Sequence, residues 1–418
     1  MSLLSGYLTA HRVFSIGFAL PFALWYVYLQ YRKKEKGIRF ISGCLVLVSG
    51  IADLVFHHPV IFTVFRASAF LTGFLEGVRK LYDTRGVWKK VFPSEHAKYV
   101  LRIVKCIVFT LVFIFLAVID IYPDLLFRGQ TGFNKTTYPA PEELNWEGYA
   151  LRTNLQYGDT YPNSIFDLMT CDAPKGTVIW IHGGNYLNGD KGEEDYSRHL
   201  MLVCLEEGYD VVSMNHAFAP AYRFPVPLLQ LDELIGHLKT HEKEYGINTK
   251  KIILAGSGSG ADIAVQYAAA SGDPAYIDGI KGNEIAGLYL ASALYSPQYG
   301  ADTGLILSDY ITYHQLREYY GKTDLSVNQT ARTADVMPHI TPAFPPALLS
   351  DGNTGTYGKQ ARRFAQVLEE NGVPHEALIF DSANDNKDLL ERGFDTVYSR
   401  EAAALHGKMI SFLRSLAE

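Results

Sequence analysis

Residues 251–267, K-I-I-L-A-G-S-G-S-G-A-D-I-A-V-Q-Y, restrict what this chain can fold into more than any other stretch. Ile252, Ile253, Leu254 and Ala255 form a short apolar run with β-branched members, the pattern of a buried strand. From Ala261 to Ala270 the composition favours helix. Gly256, Gly258 and Gly260 fill the junction, so a sharp strand-to-helix turn must lie there.

The N-terminal part has another character. Val13 to Tyr31 and Ile103 to Ile121 are nearly uncharged apolar runs close to the ~20 residues that cross a bilayer. Phe40 to Phe56 and Val60 to Val78 are weaker candidates that carry Asp53, Arg66 and Glu76. The expectation is an N-terminal α-helical transmembrane region over residues 1–121, with four spans. Arg32, Lys33, Lys34, Lys36 and Arg39 follow the first run, and Arg79, Lys80, Arg85, Lys89, Lys90, Lys98 and Arg102 precede the last. Both basic loops then share one side, and by the positive-inside tendency the rest of the chain faces the lumen, the exterior or the intermembrane space. Endomembrane and mitochondrial inner membrane both fit. Sequons at Asn134 and Asn328 are compatible with a lumenal domain.

Residues 122–173 read as a linker with the first strands, among them Asn163 to Thr170. From residue 174 to 418 strands and helices alternate, with strands at 176–181, 209–215, 251–255, 285–292, 347–350 and 375–380. Such alternation implies a mostly parallel sheet covered by helices. The insertion at 296–344, with Tyr310, Tyr313, Tyr319 and Tyr320, is expected to form a cap or a docking surface for partner chains.

Three motifs carry a family resemblance. Thr177-Val178-Ile179-Trp180-Ile181-His182-Gly183-Gly184-Asn185 looks like a strand followed by an H-G-G oxyanion loop. Asn215-His216-Ala217-Phe218-Ala219-Pro220 with Phe224-Pro225-Val226-Pro227 is similar to a Y-R-L-A-P and F-P-x-P segment. The stretch from Leu254 to Ala264 matches L-A-G-D-S-A-G-G-N-L-A without a gap. Over residues 174–416 the chain therefore resembles the hormone-sensitive-lipase-like esterases and carboxylesterases of the α/β-hydrolase fold.

That resemblance implies a catalytic serine on the strand-to-helix elbow, followed in chain order by an acid and a histidine. The serine position is Gly258. Counting back from Leu368-Glu369-Glu370-Asn371-Gly372-Val373, the acid position falls at Gly355, with Asp351 a few residues early. Counting forward from the strand at 375–380, the histidine loop reads Ser382-Ala383-Asn384-Asp385-Asn386-Lys387. No histidine lies between His375 and His406. An unperturbed Asp, with a pKa of about 3.9, cannot shuttle protons as an imidazole does near neutral pH. His182, Gly183 and Gly184, with Ser259, then read as the remnant of an oxyanion loop. Ser257 and Ser259 are expected to point away from the cleft.

From these positions the chain is expected not to be an enzyme but a membrane-anchored pseudo-hydrolase, an accessory subunit or binding module with membrane lipids and protein subunits as partners. The alternative is an active serine esterase or lipase with a shifted nucleophile, Ser259, and Asp351 as acid. Gly256-x-Gly258-x-x-Ala261 also fits a dinucleotide fingerprint, but earlier β-α units precede it and no acidic residue ends the next strand. No cofactor is expected. Cys44, Cys106, Cys171 and Cys204 are too scattered for a metal site, and a net charge of −6 gives no footprint for nucleic acid.

Overall fold

The computed structural model describes residues 24–28, 31, 38–56, 131–192, 197–303, 306–353, 357–380 and 400–417. The chain divides into two compact units, Met1–Arg128 and Gly129–Glu418. In the first unit one helix, α1 (Ile38–Phe56), is described over its full length. Among the described residues no helix is long and apolar enough to cross a membrane. Of the four expected spans only the candidate at 40–56 lies within the described residues, and that one is corrected. The candidates at 60–78 and 103–121, and most of 13–31, lie outside the described residues.

The second unit is built on one nine-stranded sheet in the order β1-β2-β3-β5-β4-β6-β7-β8-β9. Its strands are β1 (Glu142–Trp146), β2 (Tyr149–Gln156), β3 (Ile165–Thr170), β4 (Gly176–Ile181), β5 (Tyr209–Met214), β6 (Ile252–Ser257), β7 (Gly287–Ala291), β8 (Ala347–Asp351) and β9 (His375–Ile379). The first three form an antiparallel meander whose last member pairs antiparallel with β5. From β5 to β9 every pairing is parallel.

Strands β4, β5, β6, β7 and β8 are buried at every position. This is why their sequences are near-continuous apolar runs rather than alternating ones. Helices α2 (Arg198–Glu206) and α9 (Arg400–Ala417) cover Val178, Trp180, Val211, Ile253, Ala255 and Tyr289 with Leu200, Met201, Cys204, Leu405, Met409, Phe412 and Leu413. The buried residues of α9 recur at Ala402, Leu405, Met409, Phe412 and Leu413, one stripe of a 3.6-residue period. Helix α3 (Val226–Thr240) buries Leu228, Leu231, Leu234, Ile235 and Leu238 and is followed by the short α4 (Glu242–Tyr245). It packs against α5 (Ser259–Gly272), the helix that leaves the glycine turn. The insertion holds α6 (Ile306–Tyr320) and α7 (Gln329–Thr333), and α8 (Gly358–Glu370) connects β8 to β9.

The sequon asparagines are used inside the fold. Asn134 donates its Nδ2 to the Phe218 carbonyl and accepts the Phe218 N–H. Asn328 caps α7, and its Nδ2 donates to Tyr320 O and Thr323 Oγ1.

Candidate functional site

The turn between β6 and α5 places Gly258 at its apex with φ 53° and ψ −125°. Only glycine reaches this region without a clash between Cβ and backbone. The Gly258 N–H donates to Ala291 O at 2.8 Å, at the end of neighbouring β7, and its carbonyl accepts the Asp262 N–H that starts α5. The flanking glycines serve closeness rather than dihedral freedom. A Cβ on Gly256 would stand 2.6 Å from the Gly260 carbonyl carbon, and one on Gly260 would run into the Ile181 carbonyl oxygen. The elbow is thus pressed against the end of β4, from which the His182-Gly183-Gly184 loop departs.

That loop folds over the elbow. Gly184, Asn185 and Tyr186 all have positive φ, and the Tyr186 N–H donates to Ser259 Oγ at 3.2 Å. Ser259 is the first residue of α5 and is buried. Its Oγ lies where the positive end of a helix dipole and a backbone donor both favour negative charge on oxygen. Ser257 ends β6 and is buried.

Sequence reasoning missed Tyr186. Its phenol donates to Asp262 Oδ2 at 2.5 Å, while Asp262 Oδ1 accepts the Leu294 N–H. Burial, and then the charge of Asp262, raises the Tyr186 pKa well above the ordinary phenol value, so it acts as a donor throughout the working pH range. The Tyr186 ring stacks on Tyr319 at 3.7 Å, and Tyr320 lies edge-on to both. Gln266 Nε2 donates to the Tyr320 hydroxyl. Tyr319 and Tyr320 are buried, so the insertion spends these tyrosines on the elbow helix and the H-G-G loop. The expected docking role for them is corrected accordingly. The available signal was their position at the end of α6, where neither could face solvent if the insertion covers the cleft.

His182 and His216 stack at 4.5 Å beneath the loop. His182 Nδ1 lies 2.6 Å from Gly183 O. Burial, and then His182, pushes the His216 pKa down to about 3, which keeps that imidazole neutral.

Asp351 is the last residue of β8 and is fully buried. It lies at a strand end rather than in the following loop, and its Oδ1 accepts the Ser292 hydroxyl at 2.7 Å. Ser292 has φ 50° and follows Ala291, the residue whose carbonyl holds Gly258. Gly258, Ser292 and Asp351 therefore stand in a row across the ends of β6, β7 and β8, where open α/β sheets place their sites. Gly355, Asn384, Asp385 and Asn386 lie outside the described residues. Among the described residues no group of three His, Cys, Asp or Glu side chains is arranged to hold a metal ion.

A family model described as BD-FAE matches residues 166–357. An acetyl esterase of Salmonella paratyphi B is 27% identical over 112 residues, which are 27% of this chain and 33% of that protein. The chain spans about a third of the length of such curated relatives. Esterase B from Lactobacillus rhamnosis superposes with a TM-score of 0.54 at 18% identity, covering 66% of this chain and 88% of that one. A bacterial heroin esterase gives a TM-score of 0.51 at 16% identity, with 71% and 90% covered. The fold is that of the α/β-hydrolases, and the likeness is to esterases. These similarities overturn the expectation that the chain is not an enzyme: glycine at 258 does not carry that conclusion when the relatives and structural neighbours are esterases.

Proposed function

We propose that the second unit is a carboxylic-ester hydrolase in which Ser259 supplies the nucleophilic hydroxyl. The observation that carries the reading is the hydrogen bond from Tyr186 N–H to Ser259 Oγ, which sets the hydroxyl between the H-G-G loop and the N-terminus of α5. The esterases among the relatives and structural neighbours support the reaction class.

In this reading Ser259 Oγ bonds to the ester carbonyl carbon as its proton passes to solvent water, which later returns a proton to the departing alcohol, and the carbonyl oxygen takes up the negative charge. The C–O bond to the alcohol then breaks, the alcohol leaves with a proton, and water cleaves the acyl-serine to free acid and serine. No histidine occurs between His375 and His406, so the loop after β9 supplies no imidazole as the proton acceptor. Backbone donors and binding alone carry about 10³–10⁴-fold acceleration over water. Turnover of that order is expected.

The experiment is hydrolysis of p-nitrophenyl acetate by the purified full chain and by Ser259→Ala. Activity of the unaltered chain that exceeds that of Ser259→Ala, which keeps the backbone donors but lacks the hydroxyl, supports the reading. Equal rates for both proteins overturn it.

A further inference from the structure

We propose that one face of α1 contacts the acyl chains of an anionic phospholipid bilayer. The proposal goes beyond the ester-hydrolase reading and concerns the first unit alone.

The burial pattern of α1 is inverted relative to a helix that packs in water. Along residues 41–51 the buried positions are Ser42, Gly43, Val46, Ser49 and Gly50, while Ile41, Leu45, Val48 and Ile51 are exposed. A water-soluble helix turns its large apolar residues inward and its small polar ones outward. Helices that meet in lipid do the reverse, because small residues let backbones approach and the surroundings are already apolar. The close approach is present here: a Cβ on Gly43 would stand 2.9 Å from both Tyr26 Cδ1 and Val27 Cγ2. The Ser49 hydroxyl folds back onto Leu45 O at 2.5 Å, satisfying itself within its own helix.

The apolar surface extends beyond α1. Eight of the eleven large apolar side chains exposed among the described residues fall between Leu24 and Ile51, including Trp25 at 58% and Val48 at 66%. The other three, Phe133, Leu144 and Val327, are scattered over the second unit. Exposed large apolar residues concentrated in this way point to an interaction surface, whereas isolated ones need no explanation.

Charge chooses lipid as the occupant. Residues 32–37 carry Arg32, Lys33, Lys34 and Lys36 against the single acid Glu35, and Arg39 stands in the first turn of α1. A basic run that immediately precedes an apolar helix in sequence suits anionic headgroups at the edge of a bilayer. A partner helix or a second copy of this chain would need the apolar face but gives no reason for the basic run.

The test reconstitutes the purified full chain into vesicles of phosphatidylglycerol and phosphatidylcholine, and into phosphatidylcholine alone, each with and without brominated acyl chains. Brominated lipid is expected to quench a fraction of the tryptophan fluorescence that disappears in Trp25→Phe. Changing Arg32, Lys33, Lys34 and Lys36 together to Gln is expected to lower partition into the phosphatidylglycerol vesicles by at least about tenfold. The bromolipid measurement on the unaltered chain needs no variant to fold. Absence of Trp25 quenching, or a Val48→Cys protein that forms disulfide-linked dimers in those vesicles, overturns lipid as the occupant. Equal partition of the unaltered chain into both vesicle types overturns the headgroup assignment.

Discussion

Tyr186 and Asp262 are joined by a 2.5 Å hydrogen bond from phenol to carboxylate, which fastens the H-G-G loop to the first turn of the elbow helix. The same tyrosine reaches Ser259 through its backbone and Tyr319 through its ring. One residue thus ties the H-G-G loop to the helix that carries the Ser259 hydroxyl. Removing its hydroxyl takes one donor from a buried carboxylate, a loss of about 1–3 kcal/mol. Tyr186→Phe is expected to lower unfolding free energy by that amount in a urea titration with an unchanged m-value. An unchanged midpoint would show that the bond holds nothing in place.

Gly258→Ala tests the turn itself. With φ 53° and ψ −125° the position is open to glycine alone, and a side chain there costs about 1–3 kcal/mol. A destabilisation in that range, measured by denaturant melting, is expected. A neutral substitution would mean that the turn relaxes to another conformation.

Gly260→Ala acts by contact rather than by dihedral angle. Its Cβ would collide with the Ile181 carbonyl, backbone that cannot rotate away. The strand end or α5 must then shift, and strain of this kind costs about 1–3 kcal/mol or more. The expected loss is at least as large as for Gly258→Ala. A smaller loss would contradict the tight seating of the elbow on β4.

The pH dependence of stability follows from His216. Its folded pKa, about 3, lies below the ordinary imidazole value, so between pH 6.5 and about 3 the unfolded chain binds a proton that the folded chain refuses. Stability contributed by the neutral imidazole is full above the unfolded pKa and is lost as pH falls, at up to about 1.4 kcal/mol per pH unit. Asp210 works in the opposite sense: burial raises its pKa to about 6, so its contribution is lost as pH rises toward that value. Comparing the chain with His216→Phe isolates the histidine. The variant should lose less stability between pH 6.5 and 4.5, and parallel curves for the two proteins would refute the assignment.

The parallel half of the sheet was legible because strands buried on both faces must be written as apolar runs, as Val178 to Ile181 and Ile252 to Ala255 are. The hairpin of β1 and β2 was not. Glu142 to Leu144 are exposed and only Trp146 in β1 is partly covered, so an edge strand with little to bury left no periodic signal. Helix α6 was hidden for a different reason. Asp309, His314, Gln315 and Glu318 are buried beside Leu316 and Tyr319, which erases the alternation that marks an amphipathic helix. At the site, Gly258 at the apex was readable from the strand-turn-helix pattern. The direction of Ser259 and the grip of Tyr186 on Asp262 were not, because they depend on three consecutive positive-φ residues in the H-G-G loop.

Ser259 is tested most directly by covalent capture. The purified full chain is treated with a fluorophosphonate, and the modified residue is located by peptide mass mapping. Modification at Ser259, abolished in Ser259→Ala and retained in Ser257→Ala, is the predicted result. A chain that stays unmodified, or one that carries the adduct on Ser257 or Ser292 instead, would contradict Ser259 as the nucleophile.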